Sequence, residues 1–238
     1  MIYTAKETLF LSDDLLFYTL EGEGELIGQP SVFMRLSMCN LTCIGFKSED
    51  SPNGCDSYVS WSVKNKMTFD EIFQYMEDKG LINRLKVEAV LKITGGEPIL
   101  QQKQLLKFVE ALSEKYDFRP RIDFETNGTL MPDLKWVDDF GATFTVSPKL
   151  TTNGDPESKT YKPDVLCYHA NIQSCFKFVI SKAEDIDEII KFLQSNNKFT
   201  HPLVQVSDLS GKLILIKQYS KVDQIDLDLS QIQNGIYL

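Results

Sequence analysis

The stretch AVLKITGGEPIL, residues 89–100, decides how the rest of the chain is read. Its first half is a short run of apolar and branched residues that suits a buried strand. It then meets Gly95-Gly96, a pair that marks a turn and lets backbone approach another group closely. The same pattern recurs on both sides. SVFMRL (31–36), RIDFE (121–125), TFTVS (143–147), FKFVI (176–180) and LVQVS (203–207) are further brief strand-like runs. Helical patterns fall between them. Thr68 followed by Glu71 gives TFDEIFQYMEDKG a capping box, with Gly80 as its stop. Leu105, Leu106, Val109 and Leu112 share one helical face, as do Ile186, Ile189, Ile190 and Leu193. Strands alternating with amphipathic helices predict an α/β fold on a parallel sheet. The polar stretch 149–164 reads as a long loop, and QIDLDLSQI (224–232) as a late or edge strand.

Composition agrees with a globular protein. The 238 residues are 42% hydrophobic and 25% charged, enough for one domain of the larger kind, and no linker or repeat interrupts them. No apolar run reaches the roughly 20 residues that span a bilayer. The opening MIYTAKETLFLSDD lacks a basic segment followed by an apolar core, so a reducing cytoplasm is the expected compartment. A net charge of −9 argues against a nucleic-acid binder, while leaving room for a small anionic substrate held by local cations.

In parallel α/β folds ligands bind at the carboxyl ends of strands, so the residues just after each run carry the chemistry. After the first run comes CNLTCIGFKSEDSPNGCDS (39–57), with Cys39, Cys43 and Cys55. After the next three come TGGEP (94–98), ETNGT (125–129) and SPK (147–149). In a reducing compartment clustered cysteines are ligands more often than disulfides. A structural zinc wants four ligands, and the histidines, His169 and His201, lie far along the chain. Three thiolates instead suit a [4Fe–4S] cluster with one iron open to an exogenous ligand. Cys167 and Cys175 stand alone and read as small buried hydrophobes.

Three cysteines after the first strand and GGEP after the second resemble the radical S-adenosylmethionine (SAM) superfamily. Within it, the chain is similar over nearly its whole length to the 7-carboxy-7-deazaguanine synthase family. The resemblance rests on FYTLEGEG (17–24), VFMRLSMCNL (32–41), CDS (55–57), TGGEPIL (94–100), ETNGT, VSPK (146–149) and LVQVSD (203–208), in the family's order. It implies a single radical SAM domain over 1–238, a partial (modified) βα barrel with a C-terminal tail segment. Cys39, Cys43 and Cys55 would then ligate the cluster, with SAM on the open iron. Gly54, Cys55, Asp56, Gly96, Ser147, Pro148, Lys149, Gln205, Val206, Ser207 and Asp208 match SAM-holding positions, with Glu125 and Asn127 as additions. Leu20, Glu21, Gly22, Glu23, Arg35 and Thr94 match the substrate pocket, where Arg35, Glu23 and Glu21 would be the catalytic residues. Ser57 replaces a threonine that coordinates Mg²⁺ and keeps its hydroxyl, the hard oxygen that ion favours. Arg35 can pair with a carboxylate through a charge-assisted fork, and Glu23 can accept from pterin N–H groups.

The implied reaction turns 6-carboxy-5,6,7,8-tetrahydropterin into 7-carboxy-7-deazaguanine with loss of ammonia, toward queuosine precursors or other 7-deazapurines. A 5′-deoxyadenosyl radical would take hydrogen from C6 and return it. A homodimer and an electron donor such as flavodoxin or ferredoxin are implied as well. This chain departs from the family at four places. Its spacing is C-x3-C-x11-C rather than C-x3-C-x2-C, with Phe46 where the third cysteine would fall, which reads as an insertion of about nine residues within 44–54. Glu21 stands for glutamine and Val206 for proline. In the end QNGIYL, Gly235 and Ile236 stand where the family has histidine and lysine. Two other readings remain open here: a radical SAM enzyme with another substrate, such as glycyl-radical activation, and a non-catalytic Fe–S or zinc protein.

Overall fold

A computed structural model describes residues 7–47, 49, 51–195 and 202–219. The strand expected at 224–232, the QNGIYL end and His201 lie outside the described residues. The chain divides into two compact units.

The first unit comprises the chain through Asn40, Ser57–Thr126 and Pro132–Thr143. It contains β1 (Thr8–Leu20), β2 (Pro30–Leu36), α1 (Tyr58–Ser62), β3 (Asn65–Thr68), α2 (Phe69–Asp78), α3 (Leu81–Val87), β4 (Val90–Gly95), α4 (Gln102–Tyr116), β5 (Ile122–Thr126) and α5 (Lys135–Asp138). The strands lie in the order β3-β1-β2-β4-β5. β4 runs parallel to β2 and to β5, whereas β1 is antiparallel to β2 and β3. The expected strands appear within a residue or two; of FYTLEGEG, which the resemblance gives as an opening strand, residues 17–20 lie in β1, while the earlier part of β1 and all of β3 were not foreseen. In β1 the alternation that marks a strand is broken: its register shifts between Leu11 and Leu16, and Leu15 sits at φ 46°.

The capping box forms as read. Thr68 Oγ1 accepts the Glu71 N–H at 3.3 Å, and Glu71 Oε2 accepts the Thr68 N–H at 2.7 Å. Gly80 at φ 67° then turns the chain from α2 into α3. Phe69 and Phe73 of α2 pack on Phe108 of α4 at ring separations of 5.3 and 5.1 Å. Val32, Met34 and Leu36, Leu91 and Ile93, and Ile122 and Phe124 form one buried apolar face of the sheet, where Trp136 of α5 meets Phe124 edge-on at 4.7 Å. Each such side chain stabilises the fold by about 1.5–3 kcal/mol on burial.

The second unit comprises Leu41–Asp56, Asn127–Met131 and the chain from Phe144 onward. Here β6 (Thr143–Val146), β7 (Ser174–Ile180) and β8 (Leu203–Asp208) are parallel, and β9 (Leu213–Gln218) folds back antiparallel on β8. The helices are α6 (Glu157–Thr160), α7 (Pro163–Ala170) and α8 (Asp185–Ser195). On α8 the expected face holds: Ile186, Ile189 and Leu193 are buried. The stretch 149–164 is more structured than expected, because a 3-10 turn, Thr151–Asn153, and α6 interrupt it. Cys175 is buried as read, but Cys167 on α7 is only half-buried. Its position on a short helix rather than in the sheet accounts for the difference. No helix among the described residues is long and apolar enough to cross a membrane.

His169, at the end of α7, is wholly buried with its ring edge-on to Phe144 at 5.0 Å. Neither ring nitrogen has a hydrogen-bond partner among the described residues. Burial lowers its pKa from the ordinary 6.5 to about 3. The folded chain therefore binds fewer protons than the unfolded one between those values. The stability this group contributes is complete above its unfolded pKa and is lost as pH falls, by up to about 1.4 kcal/mol per pH unit. His169→Leu should therefore flatten the fall in the urea midpoint between about pH 7 and about pH 5. An unchanged slope would assign the acid sensitivity to other groups.

Candidate active site

Strand alternation makes the second face of the first unit polar. Arg35 pairs with Thr94 across β2 and β4, and Lys92 with Asp123 across β4 and β5. Residues two apart share a face, so Arg35, Lys92, Thr94, Asp123 and Glu125 stand on the side opposite the apolar layer. Lys92 is fully buried, and such a charge persists only with partners. Its ammonium lies 2.6 Å from Asp123 Oδ2, 2.8 Å from Glu21 Oε2 and 3.3 Å from Glu125 Oε1. Burial presses it toward neutrality, but the carboxylates of Glu125, Asp123 and Glu21 outweigh burial and hold its pKa well above the ordinary lysine value. For Glu21 burial dominates and raises the pKa; Lys92 opposes this and Glu125 adds to it. Thr94 donates its hydroxyl to Glu125 Oε2.

Glu21 also shapes the turn that follows β1. Its Oε1 accepts the Glu23 N–H at 3.0 Å, and its backbone pairs with Gln29 and Gly28. Both carboxylate oxygens therefore face groups of the chain itself. Leu20 is exposed, Gly22 has open space around it and Glu23 is half-buried. Arg35 lies over the Phe17 ring at 5.5 Å, Phe17 itself stacking on Phe33, and donates from Nη1 to Ser60 Oγ at 3.2 Å. Its Nε is buried with no partner among the described residues.

The two glycines of GGEP have a steric cause. A Cβ on Gly95 would stand 2.1 Å from the Leu36 carbonyl oxygen, and one on Gly96 2.0 Å from that of Met38. Gly96 and Glu97 donate their N–H groups to those same carbonyls at 3.1 and 2.9 Å. The turn thereby fixes the backbone immediately before Cys39, which is half-buried. Glu97 is buried and serves the fold: it accepts from Thr126 Oγ1 at 2.9 Å and caps Ile99 N–H at 3.0 Å. Ser57 opens α1, its carbonyl accepting from Trp61 N–H at 3.1 Å.

In the second unit the insertion folds back on itself. Gly54, at φ 92°, lies so close to Cys43 that a Cβ would stand 2.4 Å from the Cys43 carbonyl oxygen. This return places Cys55 against Cys43. The Cys43 thiol is pushed far above its ordinary range, first by its hydrogen bond with Cys55 and then by burial, with the Lys149 ammonium opposing. Asp56 Oδ1 accepts from Cys55 Sγ at 3.7 Å. Lys149 donates to Ser147 Oγ at 2.8 Å, with Pro148 between them. Gln205 and Ser207 share the buried polar side of β8 and bond at 3.3 Å, whereas Val206 packs on the other side. Asn127 Oδ1 closes a turn by accepting from Thr129 N–H and Oγ1 at 3.0 and 2.6 Å. Asp208 closes the β8–β9 turn, accepting from Ser210 and Lys212. Among the described residues no three His, Cys, Asp or Glu side chains are arranged to hold a metal ion; the Cys43–Cys55 pair is the assembled part of the cysteine set.

No protein-family model matches the chain. A 7-carboxy-7-deazaguanine synthase from Pyrobaculum aerophilum is 32% identical over 182 residues, covering 75% of this chain and 70% of that protein. The chain belongs to the 7-carboxy-7-deazaguanine synthase family. Another 7-carboxy-7-deazaguanine synthase, from Clostridium acetobutylicum, is 27% identical over 202 residues, 83% of this chain and 80% of its own. The crystal structure of QueE from Escherichia coli superposes with a TM-score of 0.59 at 20% identity, covering 85% of each chain. That likeness shows the fold alone, in the α/β class expected from the sequence.

Set among 7-carboxy-7-deazaguanine synthases, the residues that motif reading missed here are Lys92, Asp123, Asn153 and Asp155. A lysine inside an apolar run reads as a strand residue whose tip reaches solvent. Only the register with Asp123 reveals that it points inward. Lys92→Met should cost about 3–5 kcal/mol in denaturant titration at neutral pH, because it leaves buried carboxylates uncompensated. Lys92→Met/Glu21→Gln should recover part of that loss. An unchanged midpoint in Lys92→Met would show that the cluster is not buried as described.

Proposed function

We propose that this chain is a 7-carboxy-7-deazaguanine synthase, a radical SAM carbon–nitrogen lyase. It converts 6-carboxy-5,6,7,8-tetrahydropterin to 7-carboxy-7-deazaguanine with loss of ammonia, in 7-deazapurine biosynthesis. The observation that carries this reading is Arg35. A guanidinium with a buried, unpartnered Nε, backed by an aromatic ring and standing on the polar face of its sheet, has donors to spare for an anion. The substrate carboxylate is such an anion. Its fork would meet Arg35, Glu23 would accept from pterin N–H groups, and Glu21, held by Lys92, would keep the Glu23 turn in place.

The donor set suits the cofactors. Cys43 and Cys55 lie within hydrogen-bonding reach of each other, and soft thiolates favour iron–sulfur clusters. Cys39, Cys43 and Cys55 would hold a [4Fe–4S] cluster. Gly54–Asp56, Gly96, Glu125, Asn127, Ser147–Lys149 and Gln205–Asp208 are the positions for SAM. When bound and reduced, the pair supplies a 5′-deoxyadenosyl radical. The protein's part is to place the substrate's C6 and exclude water. Ser57 would give Mg²⁺ its hydroxyl. A homodimer, a flavodoxin or ferredoxin as electron donor, and a cytoplasmic setting complete the proposal.

The test is turnover. Anaerobically reconstituted protein given SAM, Mg²⁺, reductant and 6-carboxytetrahydropterin should yield 7-carboxy-7-deazaguanine by mass. Arg35→Ala should abolish the product while leaving the cluster's visible spectrum intact. 5′-Deoxyadenosine without the deazaguanine would point to another substrate, and full activity in Arg35→Ala would remove that residue from the pocket.

A further inference from the structure

The loop Thr151–Asp155 reads in the sequence as part of a polar connection, yet Cys43 lies directly on it. Asp155 Oδ2 accepts the backbone N–H of Cys43 at 2.8 Å and of Thr42 at 2.9 Å, and Oδ1 accepts the Thr42 hydroxyl at 2.9 Å. Asn153 is fully buried. Its Oδ1 accepts the Asp155 N–H at 2.9 Å, and its Nδ2 lies 3.3 Å from Asp155 Oδ2 and 3.8 Å from Cys43 Sγ. The insertion locks the arrangement: a Cβ on Gly45 would stand 2.0 Å from the Thr152 carbonyl oxygen, and one on Gly154 2.8 Å from Gly45 N.

A buried amide places its N–H groups on acceptors, and one of these points at a sulfur. A neutral thiol is a weak acceptor; a thiolate makes the stronger, charge-assisted bond. We propose that Asn153 is a positioning residue for a metal-bound Cys43 thiolate: its amide N–H holds the sulfur in place and raises the reduction potential of the cluster ligated there. The proposal rests on the reading of Cys43 as a cluster ligand. Its physical basis is that hydrogen bonds to sulfur draw charge from the ligand and ease reduction of the iron. Asp155 acts one step further out, fixing the backbone of Cys43 and the orientation of the Asn153 amide together.

The experiment compares anaerobically reconstituted full-length wild type with Asn153→Leu, which keeps the bulk but has no donor. Asn153→Ser, with a shorter donor, serves where the leucine variant does not fold. Iron and sulfide counts and an EPR-monitored redox titration are read for each. The expected result is a midpoint potential shifted downward in Asn153→Leu, with a smaller shift in Asn153→Ser. In protein carrying ¹⁵N-labelled asparagine side chains, the reduced cluster should show a ¹⁵N coupling that Asn153→Leu loses. A wild type that binds no cluster would overturn the functional reading itself. A wild type that binds one, with unchanged potential in either variant and no ¹⁵N coupling, would overturn only the role of Asn153.

Discussion

One ammonium, wholly out of water, organises the first unit. Lys92 stands on β4, between β2 and β5, and carboxylates from two separate segments, Glu21 after β1 and Asp123 and Glu125 on β5, close around it. Without that cation the buried Glu21 and Asp123 could not share one face with Glu125, and with it they hold the turn after β1 against β4 and β5. The turn in turn presents Glu23, and the same face presents Arg35 and Thr94. Arg35 and Thr94 thus stand on strands of this polar layer, and Glu23 on the turn that Glu21 holds. Glu21, a buried acid, has its compensation beside it in the Lys92 ammonium.

Backbone contact sets the second constraint. The close approach of Gly95 and Gly96 to Leu36 and Met38 fixes the chain leading to Cys39, and that of Gly54 to Cys43 brings Cys55 back across an eleven-residue gap. In both places glycine is required because a side chain would collide with a carbonyl. The described ends of the insertion are therefore packed, and its length has not cost the Cys43–Cys55 pairing. Asp155 and Asn153 complete this support from a loop a hundred residues further along the chain.

How much of this was legible in the sequence differs by physical cause. Strands with parallel partners read well, because each carries a run of buried apolar side chains on one face, bounded by a turn. The first part of β1 hid behind its bulge and Asp13-Asp14, and β9, the mostly exposed run LILIKQ, carries no alternation to mark it. The reading of Cys55 as a ligand rests on Asp56 and Ser57, the two residues after it, rather than on its spacing. Lys92 and Asn153 could not be found, because their roles arise from residues distant in sequence and become visible only through register and loop packing. Asn127 and Asp208, expected at a ligand, have carboxamide or carboxylate oxygens engaged in closing turns.

The central claim is that Cys55, reached across the insertion, completes the iron ligation begun by Cys39 and Cys43. The most direct measurement is a cysteine-by-cysteine iron and sulfide count after anaerobic reconstitution. The Cys167→Ser/Cys175→Ser variant should retain about four irons per chain, as a [4Fe–4S] cluster requires, and its EPR signal should change when SAM is added. Cys55→Ser should lose the cluster. Full iron content in Cys55→Ser, or its loss in the Cys167→Ser/Cys175→Ser variant, would contradict the account.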